Sequence, residues 1–244
     1  MSALTPMTLT TYDLSPSRPT IEGRPDPATS RGVAAGTAAA TRSVLKRAMD
    51  VCGAFGGLLM LSPILACVAF LIRLDSRGPV LFRQERMGLG GRTFRCLKFR
   101  TMVPDAESRL RELEARNESA GGVLFKIKDD PRVTPLGRFL RKSSLDELPQ
   151  LWNVLVGEMS LVGPRPLQLR DSVKLAAFDA DGYTARLSVV PGVTGPWQVG
   201  GRSEVDSSQM LRLDLDYVGC WSLGTDLKIL VRTVYVVFAG KGAC

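Results

Sequence analysis

Residues Val51 to Ile72 read VCGAFGGLLMLSPILACVAFLI, an uninterrupted run of uncharged, mostly apolar residues broken near its middle by Ser62-Pro63. A run of about 20 apolar residues is long enough to cross the hydrocarbon core as a helix. The flanks argue against a simple span, because loops on the two sides of one should differ in Lys/Arg content. Here Arg42, Lys46 and Arg47 precede the run, and Arg73, Arg77, Arg83 and Arg86 follow it. Pro63 cannot donate to the Leu59 carbonyl and its ring crowds it, so the helix should bend there. The Ser62 hydroxyl is placed to satisfy a freed backbone group at membrane depth. These residues favour a re-entrant element over residues 42–75, helix-break-helix, that turns at Ser62 and Pro63 and leaves by the face it entered. A buried core helix is disfavoured by the length and even apolarity of the run.

Outward from this element the composition narrows the partners. The chain has 244 residues and a formal net charge of +8, with a pI near 9.5, which suggests an anionic partner. Beside a membrane element, membrane lipids and a phosphorylated substrate rank ahead of nucleic acid. The sequence has no histidine, which excludes histidine bases and histidine metal ligands. Its five cysteines show no CxxC spacing and read as reduced and structural, in keeping with a cytoplasmic face.

Residues 1–41 are rich in Pro, Thr, Ser and Ala, a composition that cannot bury a core and is expected to form a disordered tail. From about residue 76 to 244 the chain reads as one globular domain. Pro79 to Phe82 and Thr93 to Phe99 are expected strands joined by a turn at Gly88, Gly90 and Gly91. Asp105 to Arg116 should form a charged amphipathic helix, and Val123 to Ile127 a further strand. Thr134-Pro135 starts a helix, with Thr as cap and Pro in the first turn. Leu148, Leu151, Trp152 and Leu155 have helical spacing, as do Leu227, Leu230, Val231, Val234 and Val237. The expected fold class is α+β, mainly helical with a small β-sheet, in which the last helix is apolar enough to lie on the membrane surface.

The chemistry points first to Asp146-Glu147 in SSLDELPQL, two adjacent carboxylates in an otherwise basic domain. Two readings of the pair stand side by side. Ser144-x-x-Glu147 has the spacing of a capping box, and acidic residues suit a first helical turn. Pro149 weakens that reading, because it would fall beyond the first turn of a helix capped at Ser144. Alternatively the carboxylates serve phosphoryl chemistry as nucleophile or as ligand of a hard cation. Basic segments around them could clamp phosphates: Lys98 to Met102, the Asp129-Asp130-Pro131-Arg132 turn, and Gly163-Pro164-Arg165-Pro166. The prolines beside Arg165 lower the entropy lost in fixing its guanidinium, which suits bidentate phosphate binding; a solvated turn arginine is the alternative. Gly195 and the Gly200-Gly201-Arg202 segment flank Trp197, which could stack on a base or fill the core.

Together these segments carry a resemblance. KRAMDV before the membrane element, Ser62-Pro63 within it, GPVLFRQERMG, KFRTM, DDPRVTPLGRFLRKSSLDELPQLWNVLVGEMSLVGPRP, PGVTGPWQVGGRS and DYVGCWSLGTDLKIL follow one another from Arg47 to Cys244. In this order they resemble the bacterial sugar transferases, the monotopic phosphoglycosyl transferases. The resemblance implies transfer of a sugar 1-phosphate from a UDP-sugar to a polyprenyl phosphate such as undecaprenyl phosphate, with release of UMP, at the cytoplasmic face of the bacterial inner membrane. This would initiate exopolysaccharide, O-antigen or glycoconjugate assembly. It implies that Asp146 takes the phosphosugar covalently, that Glu147 helps place Mg²⁺, and that Lys98, Arg100, Arg165 and Arg202 contact substrate. Some members of that family carry an additional N-terminal multi-span domain, whose role does not transfer to a tail of this composition. Two rivals stay open: a membrane-anchored basic adaptor without turnover, which the carboxylate pair disfavours, and direct transfer with Asp146 as a base. The motifs are equally compatible with a monomer and a homo-oligomer.

Overall fold

Ser43 stands one residue ahead of the apolar stretch with a side chain suited to capping. Its Oγ accepts from the Lys46 amide at 3.2 Å and starts helix α1, Val44–Asp75. The computed structural model describes residues 43–109, 123, 127, 130–200 and 205–238. The tail expected to be disordered, residues 124–126 of the strand expected at 123–127 and the far part of the helix expected over 105–116 lie outside the described residues.

The run expected as two helices separated by a break is one continuous helix with Pro63 inside it. Ser62 Oγ donates to the Leu59 carbonyl at 2.8 Å, the carbonyl that proline leaves without a donor. That bond satisfies the carbonyl, so the helix continues past Pro63, where the proline ring still favours a bend. Along α1 the buried residues fall in two groups, Lys46, Asp50 and Ala54 near the start and Val68 and Ile72 near the end. The four-residue spacing within each group puts its members on one face. Phe55, Leu59, Met60 and Ile64 between them are exposed.

Both groups reach the same strand. Strands β1, Leu81–Met87, and β2, Thr93–Phe99, pair antiparallel from Leu81↔Phe99 to Met87↔Thr93. Their turn holds Gly90 and Gly91 at φ of 63° and 77°, where a side chain would be strained. Ala54 at the start of α1 packs with Phe94, Cys96, Leu151 and Val154, and Val68 and Ile72 at its end pack with Phe99 and Leu140.

Helix α2, Pro135–Lys142, begins as expected: Thr134 Oγ1 accepts from the Gly137 amide at 2.9 Å, and proline follows the cap. A 3₁₀ turn, Leu145–Glu147, then leads into α3, Gln150–Val156. Strand β3, Ser160–Val162, pairs in parallel with β4, Gly192–Thr194. Between them run α4, Leu169–Phe178, and α5, Ala180–Arg186. After β4 come α6, Pro196–Gly200, α7, Ser207–Gly219, and α8, Leu223–Phe238. Val162, Val189, Val199, Tyr217, Val218 and Ile229 form the core at this end.

The mainly helical class is as expected, but the small sheet is two separate two-stranded ladders. The first strand begins at Leu81, two residues later than expected. Strands β3 and β4 were not expected, because three residues carry no period-2 pattern and their pairing is made by distant segments. Asp105 to Arg109 forms turns instead of the expected helix start.

Candidate active site

The carboxylate pair sits on a strained turn. Ser144 has φ 57° and ψ 15°, in the left-handed region, and its side chain makes no cap bond. The capping-box reading therefore does not describe this segment: Asp146 and Glu147 lie in a 3₁₀ turn of their own, and α3 starts after Pro149. Non-glycine residues held in the left-handed region cost about 1–3 kcal/mol and cluster at functional sites.

Asp146 and Glu147 are adjacent, yet their surroundings differ. Lys98, near the end of β2, donates from Nζ to Glu147 Oε1 at 2.6 Å. Arg165 forks onto the same carboxylate, with Nη1 donating to Oε2 at 3.0 Å and Nη2 to Oε1. Burial alone would raise the Glu147 pKa, but Arg165 and Lys98 outweigh it and hold the group well below the usual carboxylate range. Asp146, only 7% exposed, accepts no hydrogen bond among the described residues. Burial raises its pKa, with Glu147 adding to the rise, although Lys98, Arg141 and Arg165 pull the other way. Two neighbouring carboxylates driven in opposite directions are suited to different tasks. Glu147 fixes the cations; Asp146 is left with uncommitted oxygens in a basic pocket.

Several expected site residues meet here, and others do not. Lys98 and Arg165 converge on Glu147. Arg100 goes elsewhere: Nη1 donates to the Pro79 carbonyl at 2.5 Å, and Nη2 donates to the carbonyls of Ile72 at 3.3 Å and Ser76 at 2.6 Å. It closes the C-terminal end of α1, where the last carbonyls lack helical partners. In the Asp130 turn Arg132 is held by Asp130, with Nη2 to Oδ2 at 2.6 Å. Trp197 is buried against Leu167, Leu175, Met210 and Leu211, as core. Arg202 lies outside the described residues. Ser62 and Pro63 lie within α1, as described above.

Arg141 was missed in the sequence. Its Nε donates to Thr101 Oγ1 at 3.0 Å, and its charge acts on both Asp146 and Glu147. It precedes Asp146 by five residues, a spacing that says nothing until the left-handed Ser144 folds the chain back.

Among the described residues no cluster of three or more acidic, cysteine or histidine side chains could hold a metal by itself. Mg²⁺ usually takes one or two carboxylates and draws the rest of its shell from water and substrate phosphates. Asp146, with free oxygens, fits that demand; Glu147, expected as the ligand, has both oxygens engaged by cations.

A helix long and apolar enough to cross a membrane, carried on a domain with a buried carboxylate among cations, sets the class of site. The sequence comparisons narrow it. Residues 41–240 match the family model described as bacterial sugar transferase, and the chain belongs to that family. It is 43% identical over 201 residues to the galactosyl transferase CpsE of Streptococcus agalactiae, covering 82% of this chain and 43% of that protein. It is 40% identical over 205 residues to the UDP-glucose:undecaprenyl-phosphate glucose-1-phosphate transferase of Escherichia coli, covering 82% and 41%. The exopolysaccharide production protein ExoY of Sinorhizobium fredii is 41% identical over 203 residues, covering 82% of this chain and 88% of that protein. The chain thus spans less than half the length of the first two relatives and most of the third.

Proposed function

We propose that this protein transfers a sugar 1-phosphate from a UDP-sugar to a polyprenyl phosphate such as undecaprenyl phosphate, releasing UMP, as the initiating membrane step of exopolysaccharide or related glycoconjugate synthesis. The single observation that carries this is the Asp146 carboxylate, buried and without a hydrogen bond among the described residues, while its neighbour Glu147 holds Lys98 and Arg165 in place. Family membership and the relative named for a sugar 1-phosphate transfer to undecaprenyl phosphate support the same chemistry.

The mechanism follows from these groups. An Asp146 oxygen attacks the phosphorus that carries the sugar; the bond from that phosphorus to the bridging oxygen breaks, and UMP leaves. A phosphate oxygen of the polyprenyl acceptor then attacks the same phosphorus, the aspartyl bond breaks, and the carboxylate is restored. A carboxylate approaching a diphosphate meets repulsion, which preorganised cations offset. Lys98, Arg141 and Arg165 are the cations at hand, and Glu147 keeps two of them oriented between turnovers. Mg²⁺ held against Asp146 and the diphosphate would draw charge from the phosphorus under attack.

Membrane placement belongs to the same proposal. Helix α1 spans roughly 48 Å at 1.5 Å per residue, enough to cross a core of about 30 Å. Yet its two ends dock on one domain. Lys46 pairs with Asp226 on α8 at 2.7 Å, and Asp50 accepts from Ser160 Oγ and the Leu161 amide, each at 2.9 Å. At the far end Arg100 grips Ile72 and Ser76. A domain that docks both ends leaves the exposed middle of α1 to enter lipid, which supports a re-entrant helix; the basic residues at both flanks favour the cytoplasmic face. Exposed Leu227, Val231 and Val234 on α8 suit contact with the membrane surface.

The test is UMP release from a panel of UDP-sugars with polyprenyl phosphate and Mg²⁺, by the parent and by Asp146→Asn. Turnover in the parent alone supports the proposal. Equal turnover in both removes Asp146 from the mechanism, and binding without turnover in the parent favours the adaptor.

A further inference from the structure

Arg165 lies in a turn that cannot hold its own shape through amide donors. Pro164 and Pro166 on either side carry no N–H, so the carbonyls must find donors elsewhere. Two buried arginines supply them. Arg186, at the end of α5, donates from Nη2 to the Arg165 carbonyl. Arg86, on β1, donates from Nη1 to the Pro166 carbonyl at 2.5 Å. The next residues are pinned to the same strand, with the Met87 amide donating to the Leu167 carbonyl at 3.0 Å and Arg86 bridging Gln168.

Each arginine is itself fixed. Arg186 Nε donates to Asp214 Oδ2 on α7 at 2.7 Å, and both side chains are almost fully buried. Arg86 donates from Nε and Nη2 to Gln84 Oε1 at 3.2 and 2.8 Å. It forms no ion pair with a carboxylate among the described residues, although it is buried. Burying a guanidinium without a paired anion is costly, and hydrophobic residues would fill the same space at less cost. What the charge supplies here is a donor directed at one carbonyl.

We propose that Arg186 and Arg86 are positioning residues that fix the Arg165 fork by holding the carbonyls of Arg165 and Pro166, with Asp214 orienting Arg186. This rests on the proposed reading in which Arg165 serves the phosphoryl transfer. A planar fork can bind Asp214 and a carbonyl at once, whereas a lysine ammonium on a flexible stem holds both poorly. The Gly192 amide still holds the Pro164 carbonyl at 2.9 Å, so loss of either arginine loosens the Arg165 side of the turn, and small misplacements of a group that orients substrate can cost up to about 100-fold in rate.

A double-mutant cycle tests the proposal. Arg186→Lys and Arg86→Lys are each made in the parent and in Arg165→Lys, and UMP release is measured with UDP-sugar, polyprenyl phosphate and Mg²⁺ together with thermal unfolding. The expected result is a loss of about 10-fold from either substitution in the parent and less than about 2-fold in Arg165→Lys, because the fork they position is already gone. Where Arg186→Lys fails to fold, Arg186→Met with Asp214→Leu replaces the buried pair by apolar groups, which keeps a fold in comparable cases but removes the donor. The same dependence on Arg165 is expected of it. Equal losses in both backgrounds, or full activity in folded Arg86→Lys and Arg186 variants, would overturn the positioning role while leaving the transfer reaction intact. Full activity in Arg165→Lys itself would overturn the role of Arg165 and, with it, the inference.

Discussion

Asp146 and Glu147 are neighbours in sequence whose removal should move stability in opposite directions. The folded Glu147 carboxyl titrates below its ordinary value because Arg165 and Lys98 hold it. Its contribution is therefore present above the unfolded pKa near 4.5 and is lost as pH falls through the lower folded value. Glu147→Gln leaves two cations without their anion; with the side chain 20% exposed, a loss of about 2 kcal/mol is expected, or a Tm lower by about 4–8 °C. Asp146 is the reverse case. Its folded pKa lies above the ordinary 3.8, so the group destabilises the fold as pH rises through that window, and its neutral form is the better accommodated. Asp146→Asn should abolish turnover yet raise the Tm by a few degrees, about 2–4 °C per kcal/mol, at pH 7. That gain should vanish below about pH 4. Calorimetry on both variants across pH 3 to 8 checks the pair, and a lowered Tm in Asp146→Asn at neutral pH would contradict the burial of its charge. The pair itself was legible in the sequence. Its split into a cation holder and a free carboxylate was not, because Lys98 and Arg165 reach Glu147 from segments 49 and 18 residues away.

At the scale of elements, α1 shows both what patterns reveal and what they hide. The apolar run and the capping start of α2 were readable, since both are local. Arg100 was read as a phosphate contact because it follows a strand beside Lys98; it instead closes α1, a role fixed by contacts 24 and 28 residues away. The Pro63 site was readable too, but its outcome was set by one hydroxyl, since Ser62 Oγ gives Leu59 the donor that proline withholds. Replacing Ser62→Ala and Pro63→Leu together should restore the regular ladder and stiffen the helix. The population should then shift toward a true span that carries residues 1 to about 45 across the membrane. After removal of native cysteines, a cysteine introduced at Ser30 should react with an impermeant reagent on intact cells only in the double variant. Labelling of the parent would show that α1 spans and that the docking of both its ends has been misread.

For the whole molecule, a domain with a carboxylate among cations is joined to a helix that docks at both ends and is exposed in its middle. Lys46 and Asp226 lie 180 residues apart and meet at 2.7 Å, so α1 and α8 are tied together, a closure that no local pattern in the sequence announces. The parallel β3 and β4 ladder is of the same kind, built from segments too short to read alone. A domain arranged around one uncommitted carboxylate should need a hard cation as well as its own arginines. Chelation with EDTA should therefore stop turnover, Mg²⁺ should restore it, and full activity in EDTA would remove the metal from the mechanism. In the proposed reaction Asp146 carries the sugar phosphate between donor and acceptor. Mass spectrometry of the protein after exposure to UDP-sugar and Mg²⁺ without lipid tests it most directly. The expected result is a mass increase of one sugar phosphate on the peptide containing SSLDELPQL, absent in Asp146→Asn and discharged by polyprenyl phosphate. An unmodified peptide under conditions that support turnover, with intersecting initial-rate lines for the two substrates, would contradict it and assign Asp146 the role of a base in direct transfer.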